Sequence, residues 1–189
     1  MCSLAESEKK LLLQVARQAL VAAAEHRPPD KFIRDSVLLN QPGGAFVTIT
    51  RSGRLRGCIG QLPSGTPLVD VVEHCARAVA SEDPRFPRVL PYELAEIEIE
   101  ISVLSPLSDI RPEAIEPGKH GLFVSSGNYR GILLPQVAVQ FRWGGIRFLE
   151  ATCEKAGLPR DAWKQPGTRV HAFTAQVFTE SEFREQPKA

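Results

Sequence analysis

The stretch GAFVTITRSGRLRGCIGQL, residues 44–62, decides the fold class of this protein. Residues 44–50 and 55–62 are β-like runs, and Ser52 and Gly53 between them are typical of a tight turn. The stretch therefore predicts a β-hairpin, whose two strands are antiparallel. Because hairpins are interleaved with helical patterns along the chain, we expect an α+β fold, of the two-layer α/β type, with an antiparallel sheet flanked by helices.

More strands are expected after this hairpin along the chain. Residues 97–104 alternate apolar with polar side chains, which predicts a strand with one face in the core. The apolar runs that remain predict strands at residues 123–124, 130–134 and 170–178.

Three helices are predicted from apolar side chains that recur at helical spacing. The opening helix starts with a capping box formed by Ser3 and Glu6. The second starts with Thr66 as its N-cap, and the third runs through residues 148–153 until Gly157 stops it.

The composition is that of an ordinary soluble globular protein, with 43% hydrophobic and 24% charged residues in a chain of 189. This length predicts one domain over residues 1–189, or two closely packed subdomains within it, with residues 184–189 as a loose tail. The net charge of +1 disfavours nucleic acid as a partner, and the longest apolar stretch, residues 19–24, is too short to span a membrane.

The cysteines, the histidines and the known catalytic motifs limit which kinds of site are expected. Four cysteines lie far apart without a C-x-x-C pair, which is typical of reduced thiols in a cytoplasmic protein. The four histidines lack metal-ligand spacing, so no metal site is expected. Phosphate-binding loop, nucleophile-elbow and zinc-protease motifs do not occur, and the sequence assigns no cofactor.

The segment LRGCIG, residues 55–60, is the most unusual in the chain. Strand alternation predicts Arg54, Arg56 and Cys58 on one face, with Leu55 and Ile59 on the other. Arginines stabilise a thiolate and hold anions in a bidentate manner, and glycines such as Gly57 and Gly60 let a ligand approach closely. The alternative interpretation is that Cys58 is a small packing residue at a glycine bulge.

Three other groups are candidates for a site. Arg85 lies in the proline-braced loop DPRFP, residues 83–87, which suits either an anion site or a structural ion pair. Glu100, with Glu98, is either a carboxylate for acid–base work or metal binding, or part of an exposed face, or a partner for Arg54 and Arg56 on a neighbouring strand. His120, between glycines in GKHG, is a candidate general base.

These segments resemble the AMMECR domain family. The resemblance rests on LRGCIG (55–60), DPRFP (83–87), EISVLS (100–105), GKHG (118–121), GILLPQV (131–137) and CEKAGLP (153–159). The spacing is most similar to the branch called AmmeMemoRadiSam system protein A. Arg88 stands where the family usually has a proline, and Gly144 where it commonly has an aspartate.

The resemblance implies a larger and a smaller subdomain with the LRGCIG segment beside a cleft between them. It also implies association with a Memo-like protein and a radical SAM protein, but carries over no defined reaction.

Two hypotheses about function follow. In the first, the protein is an enzyme or enzyme component that binds a small anionic metabolite through Arg56 and Arg85. Cys58 is then a reactive thiol, and His120 or Glu100 handles a proton. In the second, it is a non-catalytic adaptor or regulatory module whose LRGCIG segment shapes a surface for a protein partner.

Overall fold

The chain forms two compact units in a computed structural model that describes residues 3–28 and 36–184. Unit 1 comprises Met1–Leu104 and Gln176–Ala189, and unit 2 comprises Ser105–Ala175. Four α-helices and eight strands occur in the described residues: α1 (Glu6–Ala24), β1 (Gly44–Arg51), β2 (Arg54–Gln61), α2 (Leu68–Val79), β3 (Ile97–Leu104), β4 (Ser108–Asp109), β5 (Gly121–Ser126), β6 (Tyr129–Leu133), α3 (Pro135–Gln140), α4 (Gly145–Lys155), β7 (Arg169–Phe173) and β8 (Ala175–Thr179).

The predicted α+β class is confirmed. The strands form two four-stranded sheets, in the orders β2-β1-β3-β8 and β4-β7-β5-β6. Strand β1 is antiparallel to both β2 and β3, and β7 is antiparallel to both β4 and β5. The hairpins β1–β2 and β5–β6 supply one antiparallel pairing in each sheet, and the other pairings join strands that lie farther apart in the chain.

The inner face of the first sheet carries the core of unit 1. Val47, Ile49, Ile99 and Ile101 are fully buried, in one cluster with the apolar faces of α1 and α2. The predicted alternation in burial along β3 is confirmed over residues 97–101, while Ser102, expected on the outer face, is also buried.

The β1–β2 hairpin turns at Ser52 and Gly53, which both have positive φ, of 52° and 73°. This conformation matches the twist of the two strands. A bulge follows: Ile49 pairs with Gly57, whereas Thr50 pairs with Leu55, so Arg56 has no partner residue on β1. Beyond Arg56 the alternation of β2 is therefore inverted.

Unit 2 has a core of its own, built from the second sheet and the last two helices. Leu122 and Val124 of β5 lie in one buried cluster with Phe148 and Leu149 of α4. Helix α4 ends as predicted, with Gly157 at a φ of 77°.

Several predicted boundaries are wrong. Helix α1 is capped by Ala5, whose N–H donates to Glu8, rather than by Ser3 with Glu6. Helix α2 starts one residue later than predicted, with Pro67 and not Thr66 as its N-cap.

The C-terminal half holds two further corrections. The short helix α3 was not predicted. Pro135 begins this helix, since proline suits the first turn of a helix. The single strand expected at residues 170–178 is two strands in different sheets, separated at Thr174. Of the expected tail, all but Arg184 lies outside the described residues. Among the described helices, none combines the length and apolarity that a membrane span requires.

Candidate functional site

Three polar side chains stand in a row on the outer face of the first sheet. Cys58 of β2 pairs with Thr48 of β1, and Thr48 pairs with Glu100 of β3. Paired residues share a face, so the three side chains point to the same side of the sheet. The Thr48 hydroxyl donates to the Cys58 Sγ over 3.2 Å. We call this surface of unit 1 the Cys58 face.

Arg54 and Arg56 do not flank the Cys58 thiol, contrary to the prediction. The bulge at Arg56 places Leu55 opposite Thr50, on the same face as Cys58, and leaves Arg54 opposite Arg51. An unbroken hairpin register would pair Arg56 with Ile49 on the core face, at a large cost in desolvating its charge. The bulge turns Gly57 inward instead and keeps the guanidinium out of the core.

Arg56 is held by a buried carboxylate. Its Nε and Nη2 donate to the two oxygens of Glu93 over 2.9 and 3.1 Å, and Nη2 also reaches the carbonyl of Arg88 at 3.2 Å. Glu93 is 4% exposed, and the guanidinium of Arg56 holds the pKa of that carboxyl below its ordinary value. Arg56 therefore fixes the bulge to the segment before β3.

The two glycines of the segment are required by packing. A Cβ on Gly57 would lie 2.8 Å from Cγ2 of Val79 on α2. A Cβ on Gly60 would lie 2.2 Å from the ring of Phe46, its partner across the hairpin. Gly57 thus lets α2 approach the sheet, and Gly60 makes room for an aromatic ring on the outer face.

Arg85 lies against Cys58 through Asp83. The Nε and Nη2 of Arg85 donate to the two oxygens of Asp83, over 2.9 and 2.6 Å. Asp83 also accepts the backbone N–H of Cys58 over 2.9 Å. The Arg85 side chain is nevertheless 51% exposed, while that of Asp83 is 3% exposed. The loop therefore presents a fixed guanidinium beside the thiol.

The thiol of Cys58 is in its neutral form at neutral pH. Burial raises the pKa of the thiol, and the Thr48 hydroxyl and the Arg85 charge offset part of that effect. Asp83 and Glu100 raise the pKa further. Cys75 and Cys153 are fully buried, and burial raises the pKa of Cys75 to about 12.

The carboxylates of β3 differ in their surroundings. Glu98 accepts the backbone N–H of Ser181, and the bond from the Ser181 side chain, followed by this backbone bond, lowers the pKa of Glu98. Glu100 lies on the Cys58 face, opposite Thr48. Of the arginines considered as partners for these carboxylates, Arg56 binds Glu93 instead, and β1 separates its strand from β3.

A family model described as AMMECR1 matches residues 13–178, a range that contains the Cys58 face and all of unit 2. The chain belongs to the AMMECR1 family. A protein of Methanothermobacter thermautotrophicus is 42% identical over 94% of this chain and 96% of its own length. A protein of Thermococcus kodakarensis is 40% identical over 90% of this chain and 89% of its own.

A solved structure is also similar to this AMMECR1-family chain. It is the crystal structure of an uncharacterized protein from Pyrococcus horikoshii, which is 38% identical and has a TM-score of 0.84. The similarity covers 90% of each chain. These relatives support both the family and the α+β fold.

His120 belongs to unit 2, apart in the chain from the other candidates, which all belong to unit 1. It precedes β5 in a turn where its Nδ1 accepts the backbone N–H of Glu116 over 3.1 Å. This bond places the proton of the neutral ring on Nε2. Within the AMMECR1-family chain, His120 thus has a local role in closing a turn.

Three residues of the site were missed in the sequence analysis. Thr48 is a polar residue at a non-core position of β1, but its partner on β2 depends on the bulge. Asp83 is part of the DPRFP motif and precedes a proline, which is typical of turns with local side-chain bonds. Glu93 carries no local signal, since its partners lie far along the chain. In the part of the chain that the structure describes, no three His, Cys, Asp or Glu side chains form a group able to hold a metal ion.

Proposed function

We propose that this AMMECR1-family protein is an enzyme or enzyme component that binds a small anionic metabolite on the Cys58 face, next to the LRGCIG segment. One observation carries the proposal: a buried aspartate fixes the guanidinium of Arg85 beside Cys58, yet half of that side chain is exposed. A cation held in place binds an anion without losing side-chain entropy.

The hydrogen bonds that Arg85 makes leave one of its nitrogens for an anionic ligand. Its bonds to Asp83 use Nε and Nη2, and among the described residues Nη1 has no hydrogen-bond partner. The ring of Phe86 lies 5.4 Å from Cζ and supports the guanidinium on one face. A carboxylate would bind at Nη1, while Nη2 of the same guanidinium lies 3.5 Å from the Cys58 carbonyl.

The rest of the Cys58 face favours a ligand with a second polar group. Arg85 and Glu100 both act on the Cys58 thiol, with opposite effects on its pKa. A metabolite with a carboxylate for Arg85 and a hydroxyl or amine donor for Glu100 would match both charges. In this proposal Cys58 and Glu100 touch the ligand, and Arg56, Gly57 and Gly60 shape the strand beneath it.

The test is protection of Cys58 from iodoacetamide by small carboxylates. Acetate, malonate and 3-hydroxypropionate are compared at one ionic strength and about pH 9, where thiols react measurably, with mass spectrometry resolving each cysteine. We expect at least one carboxylate to slow the alkylation of Cys58, and Arg85→Ala to abolish this protection. Arg54→Ala is the matched control and should retain it. Absence of protection by all three, or protection that persists in Arg85→Ala, would refute the proposal.

A second candidate function is docking of a protein partner, in line with the Memo-like and radical SAM proteins that the family resemblance implies. Three apolar side chains of unit 1 support it: Leu55, Leu90 and Tyr92 are 46%, 45% and 68% exposed. The Glu93 carboxylate joins the segments that carry them, because it accepts hydrogen bonds from Arg51, Arg56 and the backbone N–H of Leu90. Large exposed apolar groups are enriched where proteins associate.

Co-purification distinguishes the two functions. If docking is the function, the wild-type protein retains a Memo-like or radical SAM protein at near-equal amounts, and Tyr92→Ser loses it while Arg85→Ala retains it. If metabolite binding is the function, carboxylate protection of Cys58 is unaffected by Tyr92→Ser.

A further inference from the structure

A cavity in unit 1 lies beside the C-terminal ends of α1 and α2. Its volume is about 350 Å³, and its lining includes four basic residues, His26, Arg27, Arg77 and Arg88. Arg77 belongs to the last turn of α2, and His26 and Arg27 follow the end of α1. Neither Cys58 nor Arg85 lines this cavity, so it is separate from the Cys58 face.

The lining of the cavity has an excess of positive charge. Three arginines face one acidic residue, Glu82, which gives a formal charge of +2 with His26 neutral. Part of this charge serves the fold. Arg88 Nη2 donates to the carbonyl of Ala23 over 2.7 Å, at the end of α1 where carbonyls lack helical partners, and Arg27 pairs with Glu25 over 2.8 Å.

Arg77 is different, because one of its charged nitrogens has no such role. Its Nη1 is fully buried, with no hydrogen-bond partner among the described residues. A buried donor on a charged group that lacks a partner destabilises the fold. Arg77 also lines the cavity, so a rotation of its side chain would bring this donor to an anionic oxygen bound there.

We propose that this cavity binds the phosphate group of a small ligand, with the guanidinium groups of Arg77 and Arg88 as its cationic contacts. These two arginines carry two positive charges, and the oxygens of a phosphate dianion accept bidentate bonds from arginine. Ser81, also in the lining, adds a hydroxyl donor. The cavity has the size of a small-molecule site, which leaves room for a phosphate monoester.

The test is calorimetric titration of the full chain with inorganic phosphate and with glycerol 3-phosphate, at one ionic strength set by sodium chloride. We expect binding that Arg77→Gln weakens about tenfold, since a hydrogen bond to a charged group is lost. Arg130→Gln, an exposed arginine of unit 2, is the matched control and should bind like the wild type. Tighter binding of the ester indicates a phosphorylated metabolite, and equal binding indicates free phosphate.

A stability measurement separates ligand binding from a purely structural role of Arg77. In phosphate-free buffer, Arg77→Met should leave the melting temperature unchanged or raise it, because it removes an unpaired buried donor. With phosphate added, the wild type should gain stability and Arg77→Met should not.

Three outcomes would overturn the proposal. They are no binding of either phosphate compound, equal binding by Arg77→Gln, and a loss of stability in Arg77→Met without phosphate. If a variant fails to fold, NMR amide chemical shifts of the wild-type protein test the proposal instead. Phosphate must then shift the amide signals of Ser81 and Glu82 more than that of Cys58.

Discussion

The carboxylate of Asp83 accepts the backbone N–H of Cys58 over 2.9 Å. Strand β2 is an edge of its sheet, so this N–H has no neighbouring strand to bond. An unpaired edge is a site for unwanted strand pairing, and the loop that carries Asp83 and Arg85 covers it. The same bond therefore protects the sheet and sets the position of Arg85 beside the thiol.

Asp83→Asn should lower the free energy of unfolding at pH 7 by about 2 kcal/mol, because charge-assisted bonds to Cys58 and Arg85 are lost. The guanidinium of Arg85 lowers the pKa of Asp83 in the folded state. Its stabilisation is thus complete above the unfolded pKa and is lost as the pH falls below about 4. Urea denaturation from pH 7 to pH 3 should show the difference from the wild type shrinking below pH 4.

Glu82→Gln is the control for this measurement, since it removes a charge from the exposed neighbouring residue. We expect it to change stability little at any of these pH values. A difference between wild type and Asp83→Asn that grows with acidity would contradict the assignment.

Glu93→Ala should destabilise unit 1 by about 3 kcal/mol, because it leaves the nearly buried guanidinium of Arg56 without its carboxylate. Glu96→Ala is the comparison. Glu96 also binds Arg51, but it is exposed, and its loss should have no measurable effect. Chemical denaturation measures both, and equal effects would show that Glu93 is not the structural partner of Arg56.

Gly57→Ala should cost about 1 to 3 kcal/mol through overpacking, since its Cβ would lie 2.8 Å from Val79 Cγ2. The double variant with Val79→Ala relieves the clash, so the two effects should be non-additive. Gly65→Ala is the control, because nothing lies within 4 Å of its Cβ position. Additive losses in the double-mutant cycle would rule out packing against α2 as the reason for Gly57.

Cys58 should be alkylated slowly at neutral pH, with a rate that still rises at about pH 9, because burial raises the pKa of its thiol. Thr48→Val keeps the side-chain shape but removes the hydroxyl that donates to Sγ. The pH midpoint of alkylation should then move upward. Mass spectrometry follows Cys58 against the buried Cys75 and Cys153, and fast alkylation of Cys58 below pH 8 would show that the thiol is activated.

Local pattern accounts for the elements that the sequence predicts correctly. The turn at Ser52 and Gly53, the alternation along β3 and the end of α4 at Gly157 each depend on residues close in the chain. The predicted faces of β2 were wrong because they assumed unbroken alternation, whereas a bulge at Arg56 interrupts the strand. It occurs where the inward position would otherwise receive Arg56.

The sequence by itself determined the fold class, because hydrophobic periodicity and turn residues act over a few neighbours and suffice to define hairpins and amphipathic helices. It also determined the family, through motifs along most of the chain. Only the tertiary structure decided which partner each charged residue has. Arg56 meets Glu93 and Cys58 meets Asp83 across 37 and 25 positions of the chain. Such pairs form to satisfy donors and charges that folding buries, and burial is a property of the whole unit.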